Sequence, residues 1–235
     1  MDLLTVDNLH VQYGLSQVLH GVSLAVGKGE LVSLVGRNGV GKSTTMRGIM
    51  GLATQRQGTI RWRGQDISRR APFENARDGL GYVPEDRRVF SDLTVWENLD
   101  VARQPARGGA PAWDEDKIFQ LFPDLKRFHD RKGGYLSGGQ QQMLTIARTL
   151  MGNPELLLLD EPSEGLAPLV VDMLGEKIAE LKHAGLSIVL AEQNLDFVLA
   201  LSERCYVLEK GSVVFTGTAQ ELAANADVQD RYLNV

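Results

Sequence analysis

The chain has 235 residues, 43% of them hydrophobic, and its 30 acidic residues outnumber its 25 basic residues to give a formal net charge of −5. This length allows one large domain with a full core, and the acidic balance argues against a partner held by an overall basic surface, such as nucleic acid. The single cysteine, Cys205, excludes an internal disulfide and fits a reducing compartment. The sequence contains neither a signal-peptide pattern nor an apolar run of about 18 residues, so a membrane role is expected only through a partner.

The amino-terminal part of the sequence predicts strands and one helix. Residues 1–26 alternate between apolar and polar side chains, which is typical of half-buried antiparallel strands. The mostly apolar run "ELVSLVG" at 30–36 predicts a strand covered on both faces. Residues 43–50 then predict a helix that ends at Gly51, "GTIRWRGQDI" predicts a hairpin, and "LGYVPE" predicts another short strand.

The remainder of the chain combines helical and strand patterns. Between about 86 and 151, helical segments are separated by loops such as "RQPARGGAPAW", and Thr94 with Glu97 forms a capping-box pattern. Further on, "ELLLLDEP" and "LSIVLAEQ" predict strands on either side of a helix that begins near Pro168. Apolar residues recur in that helix at helical spacing, at Val170, Leu174, Ile178 and Leu181. Strands alternating with helices predict an α/β fold with a mainly parallel sheet.

The segment "GRNGVGKS" at 36–43 matches the phosphate-loop pattern G-x-x-x-x-G-K-[ST] between a predicted strand and a predicted helix. Its glycines allow backbone N–H groups to surround phosphates at the helix N-terminus. Lys42 is expected to reach the β and γ phosphates, and Ser43 to bind Mg²⁺. The alternative is a glycine-rich turn before a helix, which would not require Lys42 and Ser43 together.

Two adjacent acids follow the apolar run "LLLL" at 156–159. Asp160 is placed to join the Mg²⁺ shell, and Glu161 to accept a proton from the attacking water. The alternative interpretation is a solvated acidic loop after a buried strand.

The segment "LSGGQ" at 136–140 predicts a second anion site at a helix entrance. Ser137 is expected to cap the helix, which presents Met143, Ala147 and Leu150 on one face. Because the chain already has a phosphate loop, this second site is interpreted as serving a nucleotide held by another molecule.

In this order and spacing, "GRNGVGKS", "LSGGQ" and "LLLLDEP" resemble the ATP-binding cassette (ABC) transporter ATPases, and the resemblance covers essentially the whole chain. It implies ATP and Mg²⁺ as ligands and a RecA-like core with an antiparallel β subdomain and a helical signature subdomain. The expected organisation is one domain over 1–235, with the core and β subdomain at 1–85 and 152–220. The helical subdomain is expected at 86–151 and a carboxy-terminal tail at 221–235.

The resemblance also implies the nucleotide contacts. Two cassettes of this family pack head to tail, and each ATP lies between the phosphate loop of one and the signature motif of the other. Tyr13 matches the aromatic residue that stacks on adenine. The expected nucleotide-binding positions are Tyr13, Gly36, Arg37, Asn38, Gly39, Val40, Gly41, Lys42, Ser43, Thr44, Ser137, Gly138, Gly139 and Gln140.

Three positions depart from the usual family pattern. Glu85 stands in place of a glutamine and is assigned to the metal site with Ser43 and Asp160; Ala167 stands in place of an aspartate. Gln193 replaces the histidine that contacts the γ phosphate. An amide donates a hydrogen bond but does not titrate. Gln193 is therefore assigned to the catalytic set, together with Lys42 and Glu161, as a group that contacts phosphate. Glu161 is assigned as the base. The alternative is that Gln193 only ties the strand end to neighbouring backbone.

Together with "YVPEDRRVF" and "AEQN", the motifs resemble an ATPase of bacterial branched-chain or hydrophobic amino acid importers. The implied partners are a second ATPase subunit, identical or a sister, two membrane permeases and, indirectly, a periplasmic solute-binding protein. The implied location is the cytoplasmic face of the inner membrane, with residues 85–98 contacting a permease. The alternatives are a urea or short-chain amide importer, an exporter or lipopolysaccharide-extracting ATPase, and a soluble cassette protein outside transport.

Overall fold

The computed structural model describes residues 2–53, 55–106 and 112–233. The strands in these ranges are β1 (Asp2–Tyr13), β2 (Ser16–Gly27), β3 (Leu31–Val35), β4 (Gln55–Trp62), β5 (Gln65–Asp66), β6 (Leu80–Val83), β7 (Leu156–Asp160), β8 (Ser187–Glu192), β9 (Arg204–Glu209) and β10 (Ser212–Thr218). The helices are α1 (Lys42–Met50), α2 (Pro72–Arg77), α3 (Val95–Asp100), α4 (Glu115–Leu121), α5 (Pro123–Arg127), α6 (Gly138–Leu150), α7 (Pro168–His183), α8 (Leu195–Leu201), α9 (Ala219–Ala224) and α10 (Ala226–Tyr232), with a 3-10 turn at Gly133–Tyr135.

The amino-terminal strands form an antiparallel sheet in the order β2-β1-β4-β5. Its apolar side chains alternate along β1 and β2 and face a core shared with α1. The expected hairpin is present as β4 and β5, joined through Arg63 and Gly64, both of which have positive φ. The predictions of alternating strands and of this hairpin are therefore confirmed.

The second sheet has the order β10-β9-β3-β8-β7-β6. All pairs are parallel except the edge pair β9 and β10. Every residue of β3, β7 and β8 is buried, as expected for strands covered on both faces. The predicted α/β class with a mainly parallel sheet is confirmed.

A helix end, a helix cap and a buried helix face agree with the sequence pattern. Helix α1 ends at Gly51, whose φ of 87° closes the last turn. The Thr94 hydroxyl accepts the Glu97 amide at 3.1 Å and the Glu97 carboxylate accepts the Thr94 amide at 2.7 Å, so the capping box is formed. Helix α7 buries Leu174, Ile178 and Leu181 completely.

No helix in the described ranges is long and apolar enough to cross a membrane. Part of the loop expected at 103–113 lies outside the described residues, since 107–111 are not described. Helices α3–α6 fall between 86 and 151, but the division of the chain into subdomains at 85/86, 151/152 and 220/221 stays a prediction.

The register of the parallel strands brings three chain segments to one edge of the sheet. Val35 at the end of β3 pairs with Glu192 at the end of β8, and Asp160 at the end of β7 pairs with Ala191. The next residues along the chain, Gly36, Glu161 and Gln193, therefore leave adjacent strands at the same end.

Candidate active site

The phosphate loop, residues 36–43, connects β3 to α1. Gly41 precedes the helix with a φ of 113°, and a Cβ there would lie 2.6 Å from Leu19 Cδ2, so a side chain is excluded on both grounds. The helix contains no acidic residue in its first turn, so no protein carboxylate on α1 neutralises the positive end of its dipole. This segment has the backbone geometry expected of an anion-binding helix entrance.

Lys42 is 3% exposed, and its ammonium group has three oxygen neighbours. It donates to the carbonyl oxygens of Gly36 at 2.6 Å and Arg37 at 3.0 Å, and its Nζ lies 3.1 Å from Glu161 Oε1. The ion pair brings together two residues that the sequence assigns to catalysis. Because both side chains are largely buried, neither charge is well compensated without the other.

Glu161 is held in an unusual backbone conformation directly after β7. Its φ is 46°, which is uncommon for a residue with a side chain and costs on the order of 1–3 kcal/mol. Its amide donates to the carbonyl of Ala191 at 2.9 Å, so the turn is fixed to the end of β8. The surrounding sheet therefore holds the Glu161 side chain toward Lys42.

Asp160 is fully buried, and its two carboxylate oxygens differ. Oδ2 accepts a hydrogen bond from the Tyr82 hydroxyl at 2.9 Å, whereas Oδ1 has no hydrogen-bond partner among the described residues. Burial raises the pKa of Asp160, and the neighbouring Ser43 and Tyr82 hydroxyl groups oppose that rise. A buried carboxylate oxygen without a donor, beside the Ser43 hydroxyl, fits the oxygen ligands that Mg²⁺ prefers. Across the described chain, no cluster of three or more His, Cys, Asp or Glu forms an all-protein metal cage.

Glu85 lies in the loop after β6, with its side chain exposed. Partial burial raises its pKa, and the carboxylates of Glu161, Asp160 and Glu164 raise it further. The predicted metal-site residue is thus near the other acids, in a region of negative potential that attracts a cation.

Gln193 begins the turn between β8 and α8 and is partly buried. Its backbone amide donates to Glu192 Oε2 at 3.0 Å. The register places it beside Glu161 and the phosphate loop, as the sequence interpretation requires. Its contact with a γ phosphate stays a prediction.

Tyr13 and the signature motif, residues 136–140, do not follow any of the strands β3, β7 and β8. Tyr13 ends β1 with 41% of its surface exposed, so its ring is accessible for stacking. The Ser137 hydroxyl accepts the Gln140 amide at 3.3 Å, which confirms the predicted cap of α6. Ser137 is itself exposed, and α6 packs on α3, α5 and β6, whereas α1 packs on β1, β2 and β7. The nucleotide-binding roles of both stay predictions.

The glycines of the signature motif are close to other parts of the same chain. A Cβ on Gly139 would lie 2.7 Å from Val170 Cγ1, and one on Gly138 would lie 2.8 Å from Arg87 Nη1. The Arg87 guanidinium also donates to the carbonyl of Glu164. Arg87, which the sequence interpretation places at a permease contact, is therefore turned toward the signature helix and the loop after β7.

Sequence reasoning missed several residues of the site. Tyr82 holds Asp160, Arg87 contacts Glu164, and the buried Glu192 accepts backbone amides from two loops. Burial and Asp160 raise the pKa of the Tyr82 hydroxyl, which keeps it a hydrogen-bond donor. For Glu192 the sequence did contain a signal, the acid at the end of the apolar strand in "IVLAEQ", since a buried acid requires hydrogen-bond donors.

Comparison with known proteins identifies the family. Residues 19–164 match the family described as ABC transporter. This chain belongs to the ABC transporter family. It is 42% identical over 231 residues to the high-affinity branched-chain amino acid transport ATP-binding protein BraG of Pseudomonas aeruginosa, covering 98% of this chain and 99% of BraG.

A relative from an export system and a solved cassette structure also resemble this chain. The lipopolysaccharide export system ATP-binding protein LptB of Haemophilus influenzae is 35% identical over 235 residues, covering 99% of this chain and 98% of LptB. The crystal structure of an ATP-binding cassette of an ABC transporter in its ADP conformation has a TM-score of 0.82 and 29% identity, covering 98% of each chain. The cassette fold and an ATP-hydrolysing role in a transporter, both expected from the motifs, are thus confirmed.

The buried Asp160 carboxylate generates a prediction for stability. Asp160→Asn should raise the melting temperature of the nucleotide-free protein near neutral pH, in chelator, because it removes a buried charge with an unpaired oxygen. A gain of about 1 kcal/mol corresponds to roughly 2–4 °C for a protein of this size. Because the folded-state pKa is raised, wild type loses stability as pH rises through it, so the advantage of Asn should vanish at acidic pH.

The measurement is a series of thermal melts between acidic and neutral pH. Asp92→Asn, a change at an exposed aspartate, is the control and should shift the melting temperature little at any pH. A lower melting temperature for Asp160→Asn at neutral pH would contradict the interpretation of Asp160.

Proposed function

We propose that this chain is the ATP-hydrolysing subunit of a bacterial importer for branched-chain or other hydrophobic amino acids. The observation that carries the proposal is the 42% identity to BraG over nearly the whole of both chains. It agrees with the combination of Glu85, Ala167 and Gln193, which resembles that importer group.

A second candidate is lipopolysaccharide export, because LptB is 35% identical over a similar length. The lower identity and the combination of Glu85 and Gln193 favour import. A urea or short-chain amide importer has the same chemistry at the nucleotide site and differs only in the solute. The fourth alternative, a soluble cassette protein outside transport, is less favoured than import because BraG, at 42% identity over nearly the whole of both chains, is a transport protein.

In the proposed mechanism, residues 36–44 surround the ATP phosphates, and Tyr13 stacks on adenine. Lys42, now paired with Glu161, exchanges that carboxylate for the β and γ phosphates, because these carry more negative charge. Glu161 is then free to accept a proton from the attacking water. Gln193 donates a hydrogen bond to the γ phosphate and does not take part in proton transfer.

The metal site is proposed at Ser43 and Asp160, with Glu85 nearby. The unpaired Asp160 Oδ1 supports this assignment. When bound, Mg²⁺ neutralises phosphate charge. Tyr82 keeps the Asp160 carboxylate in one orientation through its hydrogen bond.

We propose that the working unit is a head-to-tail pair of cassettes, identical or sister chains, with two permeases at the cytoplasmic face of the inner membrane. A groove of about 490 Å³ between α2, β6 and α6 contains the exposed Phe73 and the side chain of Arg148. Arg148 lies 4.7 Å from the ring centre of Phe90, which is 50% exposed. This partly apolar surface supports the predicted permease contact within residues 85–98, at Phe90 rather than at Arg87.

The transport proposal predicts which uptake is lost without this chain. Deleting the gene should abolish high-affinity uptake of radiolabelled leucine, isoleucine or valine, and re-expression of wild type should restore it, whereas Glu161→Gln should not. Retained amino acid uptake with lost urea uptake would favour the amide importer, and a lipopolysaccharide export defect would favour the LptB-like alternative.

The proposed base generates a kinetic prediction. Glu161→Gln should lower ATP hydrolysis by roughly 10²–10⁴-fold while ATP binding is retained, because the amide cannot accept the proton of water. Hydrolysis is measured with purified protein and ATP binding by calorimetry. Lys42→Ala is the contrasting variant, since it should weaken nucleotide binding itself. Near-normal turnover by Glu161→Gln would show that another group is the base.

The shared site generates a concentration-dependent prediction. Ser137→Arg should leave ATP affinity of the monomer nearly unchanged but abolish ATP-driven dimerisation and hydrolysis, since Ser137 is proposed to contact the partner's nucleotide. The measurements are nucleotide titration at low protein concentration and light scattering at high concentration. Weaker ATP binding by the monomer would place the signature motif in the same site as the phosphate loop and contradict the pairing.

A further inference from the structure

Glu192 is a buried acid that has no role in the mechanism proposed above. It is the last residue of β8, is 3% exposed, and lies between the loop after β7, residues 161–167, and the turn after β8, residues 193–194. Its Oε1 accepts the Ser163 amide at 3.1 Å. Its Oε2 accepts the Gln193 amide at 3.0 Å and the Asn194 amide at 3.2 Å.

These contacts require a carboxylate. A buried charge is tolerated where several donors surround it, and three backbone N–H groups do so here. Both oxygens of a carboxylate accept hydrogen bonds, whereas a glutamine amide has one acceptor and one donor group. A glutamine at 192 would therefore present an NH₂ group to backbone N–H on one side and lose one of the two connections.

The two segments that Glu192 joins carry the groups proposed to act on the γ phosphate and on water. Ser163 lies two residues after Glu161, whose amide is bound to the β8 carbonyl of Ala191. Gln193 directly follows Glu192. The carboxylate therefore sets the position of the turn that carries Gln193 relative to the loop that begins at Glu161.

We propose that Glu192 is a positioning residue for ATP hydrolysis, which holds Gln193 and the loop containing Ser163 in one fixed arrangement through backbone amides. The proposal rests on the function proposed above for Glu161 and Gln193. The hydrogen bonds that Glu192 accepts from described residues come from backbone amides, and it is assigned no proton from water. Its effect on the reaction passes through the position of Gln193 and of the 161–167 loop.

Glu192→Gln tests the proposal with a side chain of nearly the same shape. We expect kcat for ATP hydrolysis to fall roughly 10- to 100-fold, with the KM for ATP and the affinity for ADP changed less than about threefold. Hydrogen exchange of the amides of Ser163, Gln193 or Asn194 should become faster, which reports the lost hydrogen bonds directly.

A control is available at the opposite end of the sheet, where the exposed Glu203 also accepts a backbone amide. Glu203 Oε2 accepts the amide of Leu31, the first residue of β3, at 2.8 Å. Glu203→Gln should speed exchange at Leu31 and leave kcat and the amides of Ser163 and Gln193 unchanged. A loss of kcat of the same size in this control would mean that the effect of Glu192→Gln is a general loss of stability, and the proposal would be overturned.

Combining Glu192→Gln with Gln193→Ala separates this inference from the proposed function. If both act on the γ-phosphate contact, the double variant should be slower than Gln193→Ala by less than about threefold. Wild-type hydrolysis by Gln193→Ala alone would refute the proposed role of Gln193. A slow Gln193→Ala together with wild-type kcat in Glu192→Gln would overturn the positioning role alone.

A second substitution covers the case in which Glu192→Gln does not fold. Glu192→Asp keeps both acceptor oxygens but shortens the side chain, so it should reach only one of the two segments. The same loss of kcat with faster amide exchange is expected, and wild-type values for both would count against the proposal.

Discussion

The parallel pairing of β3 with β8 and of β8 with β7 is the constraint on which the site depends. The register sets Val35 opposite Glu192 and Asp160 opposite Ala191, so three polar segments begin in one row at the carboxyl edge of the sheet. A slip of one residue in any pair would exchange the side chains on the two covered faces of a fully buried strand and would move the polar residue at its end out of the row. Packing of the sheet thus fixes the relative positions of the phosphate loop, the acids and Gln193 before any ligand contributes.

The same edge collects charges that a stable core would avoid. Lys42, Asp160, Glu161 and Glu192 are all less than 10% exposed, and Glu161 has a strained backbone as well. Lys42 pairs with Glu161, Glu192 accepts backbone amides, and Asp160 Oδ2 accepts the Tyr82 hydroxyl. Among the described residues, the other oxygen of Asp160 has no hydrogen-bond partner. Local departure from favourable packing and hydrogen bonding is typical of functional sites, where stability is given up for reactivity.

Much of the fold and the motif residues could be predicted because their signals are local. The phosphate loop, the caps at Thr94 and Ser137 and the buried strands are each defined by side chains a few positions apart. The contacts of Tyr82 and Arg87 within the chain were not predicted because their partners, Asp160 and Glu164, lie 78 and 77 positions away. Such contacts depend on how β6 and β7 pair and how the following loops turn, which periodicity and spacing do not encode.

The signature motif is positioned by contacts within this chain. Gly139 is close to Val170, the stiff side chain near the start of α7, so a Cβ at 139 would push α6 away from α7. Arg87 lies between Gly138 and the carbonyl of Glu164 and connects the signature helix to the loop after β7. Glu192 holds that loop from its other side through Ser163. The signature motif, proposed to contact a partner's nucleotide, is therefore connected through the side chains of Val170, Arg87 and Glu192 to the turn that carries Gln193.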